Sequence, residues 1–231
     1  MSVIIVLTIS SLLYFILWRT NETVPIETEG IIELPAPITK GTMSVEEAIL
    51  KRRSIRNYLD RPLTLQDVSQ LMWAAQGITD PIRGLRAAPS AGATYPLEVY
   101  IVVGRNGVSG LHEGLYLYRP GKHVLEYLLE GDLRSSLANA ALGQSPIREA
   151  PVSIVITAIY ERTTIRYGER GIRYVHMEVG HVGQNIYLQA VARGLGTVVI
   201  GAFEDSQVKN VLRLPENQYP LYIVPVGHPA G

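Results

Sequence analysis

Lys51-Arg52-Arg53-Ser54-Ile55-Arg56 packs three guanidinium groups and a hydroxyl into the five residues from Arg52 to Arg56, where an apolar helix ends. Arginine is the side chain best suited to gripping a phosphate through paired hydrogen bonds. A solvated basic turn carries the same residue types, so the surroundings decide. Upstream, Ser44-Val45-Glu46-Glu47 is a capping box that opens the helix, with Val45, Ala48, Ile49 and Arg52 at helical spacing. Downstream, Thr64 and Asp67 repeat that device for a helix from Leu65 to Gly77, whose Val68, Leu71, Met72 and Ala75 share one face.

Further on, Pro81, Gly84, Pro89, Gly92 and Pro96 make residues 80–96 a loop. A strand is expected over Leu97 to Val103. Gly114 to Tyr118, then Pro120-Gly121, then His123 to Leu128 reads as a β-hairpin. A helix follows over Asp132 to Leu142. Pro151 to Tyr160 is nearly all apolar and rich in β-branched residues, as in a strand buried on both faces. Tyr174 to Arg193 is the longest helical pattern, closed by Gly194. Thr197 to Ile200 reads as a short strand, Asp205 to Leu212 as a helix and Leu221 to Val226 as a last strand. This mixture predicts one α+β domain over residues 42–231.

The whole chain has 231 residues, 47% of them hydrophobic and 18% charged, enough apolar material for a sizeable core. Lys+Arg and Asp+Glu both number 21, so no global field favours nucleic acid, and no basic stripe interleaved with aromatics occurs. The absence of cysteine excludes disulfides, thiolate metal sites and a cysteine nucleophile.

Val3 to Trp18 runs without a charge before Arg19. At ~1.5 Å per residue it spans roughly 24 Å, and interfacial Trp18 and Arg19 close most of the gap to a ~30 Å hydrocarbon core. Residues 1–19 are therefore expected to be a transmembrane anchor, with a signal peptide and a buried core helix as alternatives. Residues 20–41, with Pro25, Gly30, Pro35, Pro37 and Gly41, are expected to be a linker or a surface arm. The weak charge bias places the body after the anchor on the cytoplasmic side.

Several motifs fail on geometry. His176 and His181 are five residues apart, about 140° around a helix, and cannot share a metal there; no metal site is expected. No glycine fingerprint of a Rossmann dinucleotide site or of a P-loop is present. Four patches stand out instead: Arg52 to Arg56, Ala88-Pro89-Ser90-Ala91-Gly92-Ala93-Thr94-Tyr95-Pro96, Gly180-His181-Val182-Gly183-Gln184-Asn185, and Gly194-Leu195-Gly196-Thr197-Val198-Val199-Ile200-Gly201-Ala202-Phe203. In that order, over about residues 42–229, the chain resembles the nitroreductase superfamily of FMN enzymes. It is most similar to the SagB-type dehydrogenases, azoline oxidases of modified-peptide pathways. The marks of that branch are Pro89 to Pro96, Gly114-Leu115-Tyr116, and Tyr167-Gly168-Glu169-Arg170-Gly171 followed by Glu178, Gly180, His181, Gln184 and Asn185.

The resemblance implies a mostly antiparallel sheet packed with helices, in an obligate homodimer with the flavin at the subunit interface. It implies that Arg52, Arg53, Ser54 and Arg56 clamp the FMN phosphate and ribityl chain, and that Pro89, Ser90, Ala91 and Ala93 run beside the isoalloxazine. It places Gln184 in the cofactor-binding set, on the dimer helix with Asn185, and Gly201-Ala202 opposite the flavin N5. Arg166-Tyr167 stands where the azoline oxidases carry a Lys-Tyr pair, which makes Tyr167 and Arg166 the catalytic candidates. Arginine stays charged at any working pH, so Arg166 is a poor proton carrier and a better anion ligand. The implied activity is ping-pong hydride transfer, with NAD(P)H as donor and a small molecule or a modified peptide as substrate. A membrane-tethered flavin-binding module without turnover is the rival from another class.

Overall fold

The structure is a computed structural model, and it describes residues 30–231. Its centre is a seven-stranded sheet in the order β1-β6-β5-β4-β7-β9-β8. The strands are β1 (Ile31–Glu33), β4 (Leu97–Val103), β5 (Gly114–Arg119), β6 (Val124–Glu130), β7 (Val152–Ala158), β8 (Gly196–Thr197) and β9 (Tyr219–Gly227), and every neighbouring pair is antiparallel. A separate ribbon joins β2 (Ile78–Asp80) to β3 (Leu85–Arg86). The helices are α1 (Val45–Lys51), α2 (Leu65–Gln76), α3 (Arg134–Ala140), α4 (Ser145–Glu149), α5 (Glu161–Tyr167), α6 (Arg170–Ala192) and α7 (Asp205–Leu212).

Both faces of the sheet are covered, and side-chain alternation shows it. On β4, Leu97, Val99, Ile101 and Val103 enter one core with residues of α2 and α6. Tyr100 and Val102 enter the other core, with residues of α3 and α7. β7 divides the same way, which is why its sequence is apolar nearly throughout. Each fully buried aliphatic side chain in these layers stabilises the fold by roughly 1.5–3 kcal/mol relative to exposure. Thr64 and Asp67 form the predicted capping box of α2. Arg193, at the end of α6, donates through Nε and Nη2 to Asp67 Oδ1 at 2.9 and 2.7 Å, locking the two helices together.

The helix expected from Tyr174 begins earlier, at Arg170, because a turn at Gly168 (φ +57°) separates α5 from α6 and leaves residues 170–173 free to be helical. The strand expected over Thr197 to Ile200 is shorter: β8 holds Gly196 and Thr197, and Ile200 makes only an isolated bridge to Ile223. The region 80–96 is not wholly loop, since β3 lies within it. Part of the arm expected over 20–41 adds a strand, with Ile31, Ile32 and Glu33 paired to Glu126, Leu125 and Val124 of β6.

The expected transmembrane anchor over residues 1–19, and its alternatives, lie outside the described residues. Among the described residues no helix is long and apolar enough to cross a membrane. The long helix α6 carries Arg170, Arg173 and Glu178 together with several polar side chains. This corrects the expected membrane-anchored, cytoplasmic-facing localisation.

Candidate active site

The arginine stretch leaves the end of α1 and runs against β8. Ile55 N donates to Thr197 O at 2.9 Å, and Ser54 forms a parallel bridge with Thr197. The approach depends on Gly196, where a Cβ would stand 2.7 Å from Ile55 Cγ2 and 2.8 Å from Ile55 Cβ. Tyr187 of α6 ties the two strips together. Its hydroxyl lies 3.0 Å from Ser54 Oγ and accepts from Val199 N at 2.9 Å. The Arg52 guanidinium sits 5.1 Å from the centre of the same ring. Tyr58 closes the other side by donating to Ile55 O at 2.7 Å, and burial raises its pKa.

The guanidiniums are not equivalent. Arg53 Nη1 donates to Leu50 O and Arg52 O at 2.9 and 2.7 Å, so it caps α1 as well as facing outward. Arg52 and Arg56 make no ion pair or hydrogen bond with another side chain among the described residues. Two unneutralised cations beside a serine hydroxyl suit a dianionic phosphate. Gly201 and Ala202 lie at the end of the same strip, and both are exposed. A Cβ at Gly201 would meet no protein atom closer than 3.7 Å, so the missing side chain leaves open space beside the backbone. Two free guanidiniums beside a hydroxyl, with an open backbone ledge a few residues away, fit a phosphorylated planar cofactor such as FMN.

The second group is the loop after β3. Ala91–Ala93 forms one 3-10 turn, and Gly92, Ala93 and Tyr95 take left-handed φ values of 59°, 53° and 45°. For alanine and tyrosine that conformation costs of order 1 kcal/mol each, strain of a kind that clusters at functional sites. Pro89 and Ala93 are exposed, while Ser90 and Ala91 are half-buried. Arg166 and Tyr167, at the end of α5, close on this loop. Arg166 Nη1 donates to Gly92 O at 3.3 Å. A Cβ at Gly92 would stand 2.6 Å from the Tyr167 hydroxyl oxygen and 2.8 Å from Arg166 Nη1. The ring of Tyr167 meets Tyr174 edge-on at 5.2 Å.

Among the described residues no hydrogen bond or ion pair joins these two groups. Ser90 stands beside Glu178 of α6, and Ser54 Oγ lies 3.0 Å from the Tyr187 hydroxyl of α6. Those positions are nine residues apart, roughly 13 Å along the helix and about half a turn around it. The arginine strip with Gly201-Ala202 and the Pro89–Ala93 loop with Arg166 and Tyr167 therefore flank opposite sides of α6. Gln184 is exposed on the face between them, beside exposed Met177, Gly180 and His181.

Tyr187 and Glu178 carry this geometry, and no function was attached to either from the residues alone. Glu178 did leave a trace: it falls on the buried stripe of Val175, Val179 and Val182, where an acid is out of place. Tyr187 left none, since its partners are a backbone amide and a distant serine.

A family model described as Nitroreductase family matches residues 49–228. Protein MJ1384 of Methanocaldococcus jannaschii, a nitroreductase by name, is 50% identical over 185 residues, covering 80% of this chain and 91% of its own. The microcin B17-processing protein McbC of Escherichia coli is 28% identical over 172 residues, covering 73% of this chain and 63% of its own length. A crystal structure of a nitroreductase-type protein from Anabaena variabilis superposes with a TM-score of 0.75 at 33% identity, over 86% of this chain and 41% of that one.

Proposed function

The chain belongs to the nitroreductase family, and from that premise we propose that it is an FMN-dependent oxidoreductase working as a homodimer. The observation that carries the proposal is the division of the site across α6. Arg52, Arg53, Ser54 and Arg56 hold the phosphate on one side, and the Pro89–Ala93 loop of a second copy completes the pocket. Exposed Met177, Gly180, His181 and Gln184 on α6, with exposed Val45, Ile49 and Leu50 on α1, supply a face for that copy.

Bound FMN supplies hydride chemistry at N5, taken up from one substrate and delivered to another in alternate ping-pong steps. The chain's own residues do the rest. Arg52 and Arg56 neutralise the phosphate, and Ser54 donates to it or to the ribityl chain. The Gly201-Ala202 backbone lies open to a flat ring edge. Tyr167, its hydroxyl against Gly92, is the group able to give or take a proton at a bound substrate. Arg166 holds its charge and orients substrate on the same loop.

NAD(P)H as reductant of a small acceptor is the first reading of the substrates. Oxidation of a peptide heterocycle is the second, favoured by the likeness to a microcin-processing protein and by the place of Tyr167. Anaerobic mixing of the FMN-loaded protein with NADH, NADPH and an azoline peptide separates them. Bleaching of the flavin absorbance by a nicotinamide supports the first, and bleaching by the peptide alone supports the second. Bleaching by none of them, with FMN firmly bound, supports a module without turnover.

A further inference from the structure

Glu178 is only 2% exposed, in the middle of α6, between the fully buried Val175 and Val182. A carboxyl reaches such depth only with partners, and its partners come from other elements. Gln76, the buried last residue of α2, donates Nε2 to Glu178 Oε1 at 3.5 Å. The Ser90 hydroxyl stands beside the carboxyl and works to lower its pKa, while Ser90 Oγ accepts from Tyr95 N at 2.9 Å. β3 presents Arg86, whose guanidinium lies 4.4 Å from the Tyr95 ring centre and whose Nη1 is held by Gln76 Oε1 at 3.0 Å. Arg86 therefore attracts Glu178 across space without touching it. Glu98 and Arg162, paired with each other, stand further out around Arg86. Burial outweighs these contacts and raises the Glu178 pKa above the usual carboxylate value.

The result is a deeply buried carboxyl with one distant cation, linked through Gln76 and Arg86 to Tyr95 and standing beside Ser90 of the loop that faces the proposed cofactor. A hydroxyl beside a carboxyl is able to donate to its ionised form and to accept from its protonated form, so the proton on Glu178 bears on the polarity of the loop at Ser90. Any negative charge added on the outer side of that loop favours the protonated form. We propose that Glu178 is a redox-linked proton site, taking a proton from solvent when the flavin against the Pro89–Ala93 loop is reduced and returning it on reoxidation. The inference rests on the proposed flavin site. The balance is a hydride from the nicotinamide into the flavin, or two electrons from another reductant with one proton from solvent, and in either case one further proton from solvent onto a Glu178 carboxylate oxygen. No covalent bond of the protein is otherwise made or broken.

The experiment is a spectroelectrochemical titration of FMN-loaded wild-type and Glu178→Gln proteins across mildly acidic to mildly alkaline pH. The wild-type midpoint potential should fall more steeply with pH by up to about 30 mV per unit, the value of a tenfold change for a two-electron couple. That extra slope is confined to the window where only the reduced protein holds the Glu178 proton. Glu178→Gln should lack it, and Glu178→Asp should retain it at a shifted pH. Equal slopes in wild type and Glu178→Gln overturn the proposal while leaving the flavin site standing. Failure of the wild type to take up FMN overturns both. Should Glu178→Gln not fold, proton uptake on reduction of the wild type with dithionite, measured with an indicator dye against free FMN, decides the matter. Uptake beyond that of free FMN supports the proposal, and equal uptake overturns it.

Discussion

Replacing Gly196 by alanine tests how the arginine strip is held without removing a single arginine. The added Cβ would stand 2.7, 2.8 and 3.1 Å from Ile55 Cγ2, Cβ and Cγ1. Carbon pairs prefer about 3.5–4.0 Å, so each contact is short by several tenths of an ångström or more. Because one of the atoms is the Ile55 Cβ, a rotamer change cannot relieve the clash and the backbone at Ser54–Ile55 has to move. That movement strains the 2.9 Å bond from Ile55 N to Thr197 O and the contact of Ser54 with Tyr187. Overpacking costs about 1–3 kcal/mol and a weakened hydrogen bond about 1 kcal/mol. Urea unfolding of the cofactor-free protein should therefore show a loss of about 2–4 kcal/mol. FMN affinity, followed by quenching of flavin fluorescence, should fall at least about tenfold, equivalent to 1.4 kcal/mol. Gly201→Ala is the control, since no protein atom lies within 3.7 Å of its new Cβ. It should leave cofactor-free stability within about 0.5 kcal/mol yet weaken FMN binding. A Gly196→Ala protein with unchanged stability and unchanged affinity would refute the reasoning.

Arg52→Ala combined with Arg56→Ala should raise the FMN dissociation constant at least about a hundredfold at low salt, since charge-assisted hydrogen bonds contribute about 1.5–3 kcal/mol each. Both side chains lack carboxylate partners, so the unfolding free energy should fall by no more than about 1 kcal/mol, mainly the loss of the Arg52 contact with the Tyr187 ring. Gly92→Ala forces a side chain into φ +59° and against Tyr167 and Arg166, so a stability loss of about 1–2 kcal/mol should accompany a lower turnover. A drop in stability with turnover intact would separate Tyr167 from the chemistry. Asp67 is buried, yet hydrogen bonds from Thr64 and the charge of Arg193 lower its pKa. Its contribution is present above the unfolded carboxylate pKa of about 3.9 and is lost as pH falls through the lower folded value. Asp67→Asn should thus cost about 3 kcal/mol in urea unfolding at neutral pH, by leaving Arg193 unpaired, and should flatten the acid limb of a stability-against-pH curve.

Local rules carried most of the architecture. The Ser44 half of the expected cap, the box at Thr64 and Asp67, the hairpin around Pro120-Gly121 and the nearly all-apolar Val152–Ala158 strand each follow from short-range chemistry, and the structure has them where they were expected. The start of α6 at Arg170 was hidden because Gly168 and Gly171 dilute the helical pattern, and only the left-handed turn at Gly168 shows where one helix stops and the next begins. β8 was overextended because Val198 to Ile200 are all β-branched, although pairing to β9 continues only to Thr197 before an isolated bridge at Ile200. β1 was missed because three residues at a sheet edge carry no periodicity of their own. In the site, the candidate residues were visible as small and basic patches. Their separation on opposite sides of α6 was not, because it depends on the phase of one helix between Glu178 and Tyr187. The membrane expectation rested on a run of apolar residues outside the described chain, and no helix in the described part supports it.

The central claim is that two copies of this chain join the Arg52–Arg56 strip of one to the Pro89–Ala93 loop of the other around FMN. Mixing two defective proteins measures it most directly: Arg52→Ala/Arg56→Ala, with a broken phosphate grip, and Gly92→Ala, with a disturbed loop. After subunit exchange, mixed dimers contain one site with both defects and one with neither. The account predicts that the mixture regains tight FMN binding at up to one site per mixed dimer, above the level of either parent. Binding that stays at the average of the two parents, with exchange confirmed by differently tagged chains, would contradict it.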